Sequence, residues 1–230
     1  MFSLSPDEWN AIELSLRVAF WSVWFSLPFA LFFAWWLARR DFFGKILIDG
    51  LIHLPLVLPP VVIGYVLLVM LGRKGFIGEW LYETLGVTVA FTWEGAAIAS
   101  AVMGFPLMVR AIRLSIEHVD QGLETAARTL RAGPIRVFVT ITLPLISPGI
   151  LTGIILGFAR SLGEFGATIT FVSNIPGETR TLPLALYTFA QVPGGDAMAM
   201  RLTVIAVLLA LISLFISEFL ARRIRVKLGG

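Results

Sequence analysis

The chain contains no cysteine, which excludes disulfides, thiolate metal sites and a cysteine nucleophile. Histidine occurs only at His53 and His118, too far apart in sequence to make a local metal motif. No Gly-x4-Gly-Lys-Ser/Thr loop is present, so the chain does not cradle nucleotide phosphates in that manner. Charge is scarce as well. Only 14% of the 230 residues are charged, against about 25% in soluble domains, too few to coat a water-facing surface of this size. Apolar residues make up 57%, with a mean hydropathy of +0.87. The composition is that of an integral membrane protein. The net charge of +3 is then read as basic loops beside a bilayer rather than as a nucleic-acid surface.

Charge-free runs mark the spans. Residues 18–38, 50–72 and 137–159 contain no Asp, Glu, Lys or Arg over 21 to 23 positions, and about 20 apolar residues cross the hydrocarbon core. The stretch 84–109 carries only Glu94, and 202–217 carries no charge. Five helices are expected, at roughly 13–38, 49–71, 93–117, 137–160 and 199–221. The fold expected is all-α, a bundle of five transmembrane helices.

Basic residues orient the bundle. With the N-terminus outside, Arg39, Arg40, Lys45, Arg110, Arg113, Arg128, Arg131, Arg136, Arg222, Arg223, Arg225 and Lys227 face the cytoplasm, 12 of the 18. Arg17, Arg73, Lys74, Arg160, Arg180 and Arg201 remain outside. The positive-inside rule therefore favours N-out, C-in. The competing arrangement adds a sixth span between Phe165 and Ala190. It would hold Pro176, Gly177, Glu178 and Arg180 in mid-membrane and turn the C-terminal basic cluster outward.

The N-terminus lacks the form of a signal peptide, because no basic residue precedes Arg17 and Arg39-Arg40 follow the apolar run. Ser5-Pro6-Asp7-Glu8 reads as a capping box with proline at the first helical position. A short outer helix over 1–12, a transmembrane domain over 13–221 and a basic cytoplasmic tail over 222–230 are expected.

Pro55, Pro59 and Pro60 lie inside an apolar run. Each removes a helical hydrogen bond and clashes with the preceding turn, and broken backbone at membrane depth is tolerated only against protein or a water-filled cavity. The run therefore reads either as a helix bent around a translocation path or as a kink that accommodates neighbours. Between 118 and 136, Asp120 is a candidate N-cap and Gly133-Pro134 a helix stop. Leu123, Ala126, Ala127 and Leu130 share one face, while Glu124 and Arg128 are spaced as an i,i+4 pair. Such a short helix outside the membrane packs against a partner, or lies on its own bundle or the lipid surface. Arg160 and Glu164, flanked by Gly163 and Gly166, are spaced as a second pair where the fourth span ends. They line a path or form a plain helix-surface ion pair. His53 reads as a satisfied helix-packing residue.

The stretch 124–144 resembles the EAA loop of binding-protein-dependent ABC importer permeases, Glu-Ala-Ala-x3-Gly-x9-Ile-x-Leu-Pro. Ala126, Ala127, Ile141, Leu143 and Pro144 fall at matching places. Thr125 stands at the glutamate position with Glu124 beside it, and Arg131 replaces the glycine, with Gly133 two residues later as the substitute source of flexibility. The segments 54–64 and 163–181 resemble the oxyanion importers, and Ser173–Thr181 resembles the molybdate branch. The resemblance implies a permease of an ATP-driven molybdate importer in the bacterial inner membrane, with sulfate, thiosulfate or tungstate as alternative cargo. It implies a coupling helix containing Glu124, Ala126, Ala127, Arg128, Thr129, Leu130, Arg131, Ala132 and Gly133. Its expected partners are a second copy of the chain, two ATPase subunits that hold ATP-Mg, a periplasmic molybdate-binding protein and lipid, with no nucleic acid. This chain would carry no cofactor, no metal and no catalytic residue. Pro55, Pro59, Pro60, Arg160, Gly163, Glu164 and Gly166 are the candidates for the path. An intramembrane enzyme would need a serine with a base, a carboxylate pair or a His-Glu-x-x-His helix, and the spans contain none of these.

Overall fold

A computed structural model describes the backbone of residues 4–227, with side chains as far as Ile216 and at Phe219. Helix α1 runs from Pro6 to Arg39, about 50 Å at 1.5 Å per residue and more than enough to cross a bilayer. The capping box forms as the sequence suggests: Ser5 N donates to Glu8 Oε2 at 2.7 Å, and Glu8 N donates to Ser5 Oγ at 3.3 Å. The capped turn is, however, the start of the first span. No separate outer helix precedes it in the described residues.

The second apolar run breaks where its prolines predict. α2 (Lys45–Val57) and α3 (Pro60–Leu71) meet at Leu58-Pro59 with a 114° bend. Pro59 and Pro60 lack the N–H groups that would continue the ladder, and Pro60 is pre-set for the first position of a new helix. Pro55, by contrast, is absorbed inside α2. α4 (Phe76–Leu85) follows as a short helix, then α5 (Trp93–Glu117), capped by Thr92 Oγ1 on Gly95 N at 3.2 Å.

After the loop helix α6 (Gln121–Thr129), α7 (Pro134–Val137) enters a five-residue π turn, Phe138–Thr142, that opens α8 (Leu143–Leu162). In an α-helical turn the ring of Pro144 would strike the carbonyl of Thr140. The wider turn just ahead of it removes that clash. α9 (Gly166–Val172) and α10 (Leu182–Gln191) are too short to cross a bilayer. Between them Arg180 Nε donates to Asn174 Oδ1 at 2.9 Å, and Ile175 N to Thr179 Oγ1 at 2.9 Å. Pro176, Gly177 and Glu178 thus lie in a hydrogen-bonded loop, and no continuous helix runs from Phe165 to Ala190. α11 runs from Asp196 to Lys227, so the tail expected from 222 continues the last helix. The side chains of Arg222, Arg223, Arg225 and Lys227, and residues 228–230, lie outside the described residues. Among the described residues four helices are long and apolar enough to span, and there are five if the bent α2–α3 pair crosses as one broken span.

Small residues hold α1, α5 and α8 together, as is usual where helices pack without a hydrophobic driving force. Ala30 and Ala34 of α1 and Ala96 and Ala99 of α5 are fully buried. A Cβ on Gly104 would stand 3.3 Å from the Gly157 carbonyl, so α5 and α8 nearly touch backbone to backbone. Ser22 and Ser161 share a buried hydroxyl–hydroxyl bond of 2.8 Å. At the end where α1 begins, Glu8, fully buried, takes a two-pronged grip from Arg201 of α11 at 2.9 and 3.1 Å. Ser15 Oγ accepts from Leu182 N at 2.6 Å, fastening α10 to that end.

Candidate functional site

Two regions gather the residues singled out from the sequence, one at each end of α8. At the first, Asp120 caps α6 by accepting from Gly122 N at 2.8 Å. No residue of α6 is buried, and beyond it Leu130 is 84% exposed and Ile135 80%. Ala126, Arg128 and Thr129 are exposed around it. Glu124 is the exception, because its side chain turns inward. Its Oε1 accepts from Arg39 Nη2 of α1 at 3.1 Å and from Thr142 Oγ1 of the π turn at 2.8 Å. The i,i+4 pairing with Arg128 does not form; Arg39, remote in sequence, takes its place.

The turn that ends α6 also differs from expectation. Arg131 adopts φ +63°, the left-handed conformation that glycine reaches without penalty, whereas Gly133 is extended at φ −66°. Arg131 therefore stands at the position of the loop's glycine in a conformation that favours glycine. Gly133 takes a conformation open to any residue, and Ala132 links the two.

At the far end of α8, Arg160 Nη1 lies 2.6 Å from Glu164 Oε2, so this i,i+4 pair does form. It is not a helix-surface pair, since the Glu164 side chain is 1% exposed and that of Arg160 25%. Glu164 Oε1 also accepts from Ala167 N at 2.7 Å, satisfying one of the free amides at the start of α9. A Cβ on Gly166 would stand 2.8 Å from Pro60 Cβ, and one on Gly64 would stand 2.5 Å from the Ala167 carbonyl. The second glycine contact was not foreseen. The start of α9 is thus pressed against the start of α3 through Gly64, Pro60 and Gly166, with Pro59 at the bend. A Cβ on Gly163 would meet only the Ala159 carbonyl, at 3.8 Å; the residue ends α8 and lines an apolar groove with Phe165 and Tyr187. Pro55 stands apart, lining an apolar groove with Phe29, Phe33 and Phe105.

α8 connects the two regions. Its first end holds Glu124 through Thr142, and its last turn presents Arg160 to Glu164, which holds α9 against the broken helix. Contacts thus run from α6 through α8 and α9 to the α2–α3 bend. A polar cluster escaped the sequence reading altogether. Asp49 Oδ2 meets Arg113 Nη1 at 3.1 Å, and Arg113 Nε donates to Glu117 Oε1 at 2.8 Å, joining α2 to α5. His53 Nδ1 lies 2.8 Å from the Asp49 carbonyl, a locally satisfied histidine as expected.

Comparison with known proteins bears on this geometry. The molybdenum transport system permease protein ModB of Escherichia coli (strain K12) is 64% identical over 226 residues, covering 98% of this chain and 99% of that protein. The corresponding protein of Haemophilus influenzae is 62% identical over 222 residues, covering 96% and 97%. The E. coli sulfate transport system permease protein CysT is 36% identical over 198 residues, covering 85% and 71%. Among solved structures, a bacterial ABC transporter involved in import of the acidic polysaccharide alginate superposes with TM-score 0.73 at 16% identity, covering 96% of this chain and 80% of that one. The MetNI methionine ABC transporter superposes with TM-score 0.68 at 13% identity, covering 94% of each. These two establish likeness of fold. Residues 26–226 match the family model of the binding-protein-dependent transport system inner membrane component. The chain is a multi-pass inner-membrane protein, and it belongs to that family of transport permeases.

Proposed function

We propose that this chain is the membrane permease of an ATP-driven importer of molybdate. The observation that carries the reading is the 64% identity, over 98% of the chain, to a molybdenum transport permease, against 36% to a sulfate permease. The chain has no nucleotide loop of its own, so ATP-Mg belongs to a partner ATPase. Two copies of the chain enclose the path, two ATPases dock beneath them, and a soluble molybdate-binding protein delivers the anion from outside.

In this reading five spans cross with the N-terminus outside. Arg39, Arg40, Lys45, Arg110, Arg113, Arg128, Arg131 and Arg136 then face the cytoplasm, as the positive-inside rule favours. α6, which has no buried residue, is the coupling helix, with Ala126, Ala127, Thr129, Leu130 and Arg131 on or beside the docking face and Arg128 at its edge, toward the end of α1. Closure of the ATPase pair pushes α6, and Glu124 passes the push to α1 and α8. At the other end of α8, Arg160 faces the path while Glu164 anchors it and moderates its field. Pro59, Pro60 and Gly166 form the adjoining wall. Weak retention suits this task, since a tight anion site would oppose release; selectivity then resides in the binding protein.

The experiment is competition for uptake in vesicles that contain the full complex. Unlabelled molybdate suppresses uptake of labelled molybdate, and an equal concentration of sulfate leaves most of it. Equal suppression by sulfate would assign the chain to the broader oxyanion branch.

A further inference from the structure

A pocket of about 300 Å³ lies between the end of α1 and α6, lined by Trp35, Arg39, Arg40, Glu124 and Arg128 among others. Three guanidiniums and one carboxylate give it a net charge of about +2 by formal charges at neutral pH. Only Arg39 is engaged, by Glu124. Arg40 and Arg128 are exposed and have no ion-pair partner among the described residues. Trp35, Glu124 and Arg128 also border a second, apolar groove of about 450 Å³, whose walls include Leu31, Phe32, Ile135 and Phe138. The two spaces therefore adjoin, with these three side chains between them. Leu31 lies one helical turn further from the end of α1 than Trp35, so the groove runs from the basic pocket toward the bilayer interior. Phe32 at 55% and Ile135 at 80% exposure show that the fold leaves this apolar surface uncovered.

We propose that the composite pocket binds an anionic phospholipid. The phosphate sits between Arg40 and Arg128, and one acyl chain lies along Leu31, Phe32 and Ile135. Each part has its chemical reason. Basic pockets at the ends of membrane helices attract anionic headgroups, and tryptophan is at home at headgroup depth. A free phosphate would leave the apolar groove unused, and a hydrocarbon alone would leave two guanidiniums unpaired. A lipid in this place touches both α1 and α6, so the seating of α6 responds to the lipid composition of the membrane. The proposal rests on the reading that the chain is a bilayer-embedded permease. That reading is checked separately by ATP-driven uptake of the wild-type complex in the same membranes.

The test is native mass spectrometry of the purified complex with phosphatidylglycerol, phosphatidylcholine as control, and the Arg40→Gln, Arg128→Gln and Ile135→Glu variants. Saturable retention of phosphatidylglycerol over phosphatidylcholine is expected, weakened about 5-fold by each arginine variant and about 30-fold by the two together. Ile135→Glu, at an exposed position that spares folding, is expected to lose the lipid although all three arginines remain. Three results would overturn the proposal: equal retention of both lipids, displacement of phosphatidylglycerol by an equal concentration of glycerol phosphate, or loss of a lipid held by the isolated permease when the ATPase is added. The second would mark a site for free phosphate. The third would give the pocket to the ATPase.

Discussion

Arg39 Nη2 stands 3.1 Å from Glu124 Oε1, tying the last turn of α1 to α6 across 85 positions of sequence. Both side chains are largely shielded, at 9% and 14% exposure. The same carboxylate oxygen holds Thr142, so one side chain clasps a loop helix to two spans. A helix with no buried residue of its own owes its fixed position to this contact.

Removing the clasp separates assembly from coupling. Glu124→Gln is expected to cost about 1.5–3 kcal/mol, the range for hydrogen bonds to charged groups, and to lower ATP-driven uptake more than it lowers co-purification with the ATPase. A double-mutant cycle with Arg39→Gln measures the pair, and non-additivity of at least about 0.5 kcal/mol is expected. Additive losses would mean that the contact carries no coupling.

Arg131 tests the backbone at the end of α6. The left-handed conformation costs an L-residue about 1–2 kcal/mol, while glycine gives back part of that gain in chain entropy. Arg131→Gly is therefore expected to leave thermal stability within about 1 kcal/mol of the parent. Arg131→Val, β-branched, is expected to lower it clearly. Equal tolerance of both would show that the strained turn is not needed.

Arg160 and Glu164 are expected to behave asymmetrically. Arg160→Gln strands a carboxylate that is 1% exposed, and breaking buried pairs in this way costs about 3–5 kcal/mol. Glu164→Gln keeps an oxygen for Ala167 N and leaves behind the more accessible partner, so it is the milder change. Per assembled complex, Glu164→Gln is expected to slow anion release and Arg160→Gln to depress uptake. Unchanged transport in both, with stability loss alone, would reduce the pair to scaffolding.

Topology is tested with single cysteines, since the native chain has none. Glu178 and Asp196 are exposed. Their cysteine variants are expected to react with an impermeant thiol reagent added outside intact spheroplasts. Labelling of the Asp196→Cys variant only after the cytoplasm is opened would reverse the orientation.

The bundle was legible because long charge-free runs have no other stable use. The break at Pro59 was legible because proline lacks an amide hydrogen, and the caps at Ser5 and Asp120 because they act within three residues. What escaped was long-range. Periodicity suggested Arg128 as the partner of Glu124, since spacing reports only neighbours on the same helix; the observed partner belongs to α1. Glu8 was readable as a capping residue but not as the anchor of Arg201. Gly133 stood in for the glycine missing from the resembled loop, but the backbone turns left-handed at Arg131, and the only hint was the glycine of that loop at this place. Glu164 was visible as half of an ion pair, yet its burial and its hold on α9 depend on α3 packing alongside.

The initial rate of labelled molybdate uptake into proteoliposomes tests the central claim most directly. The vesicles contain this chain, its ATPase and the loaded binding protein, with and without ATP on the ATPase side. The wild-type complex is expected to take up molybdate only with ATP. The Ala126→Asp variant, which places a carboxylate on the exposed face of α6 and spares the fold of the chain, is expected to insert normally, lose the ATPase and abolish uptake. Uptake without ATP would mean a self-standing channel, and full ATP-driven uptake by Ala126→Asp would contradict the docking role of α6.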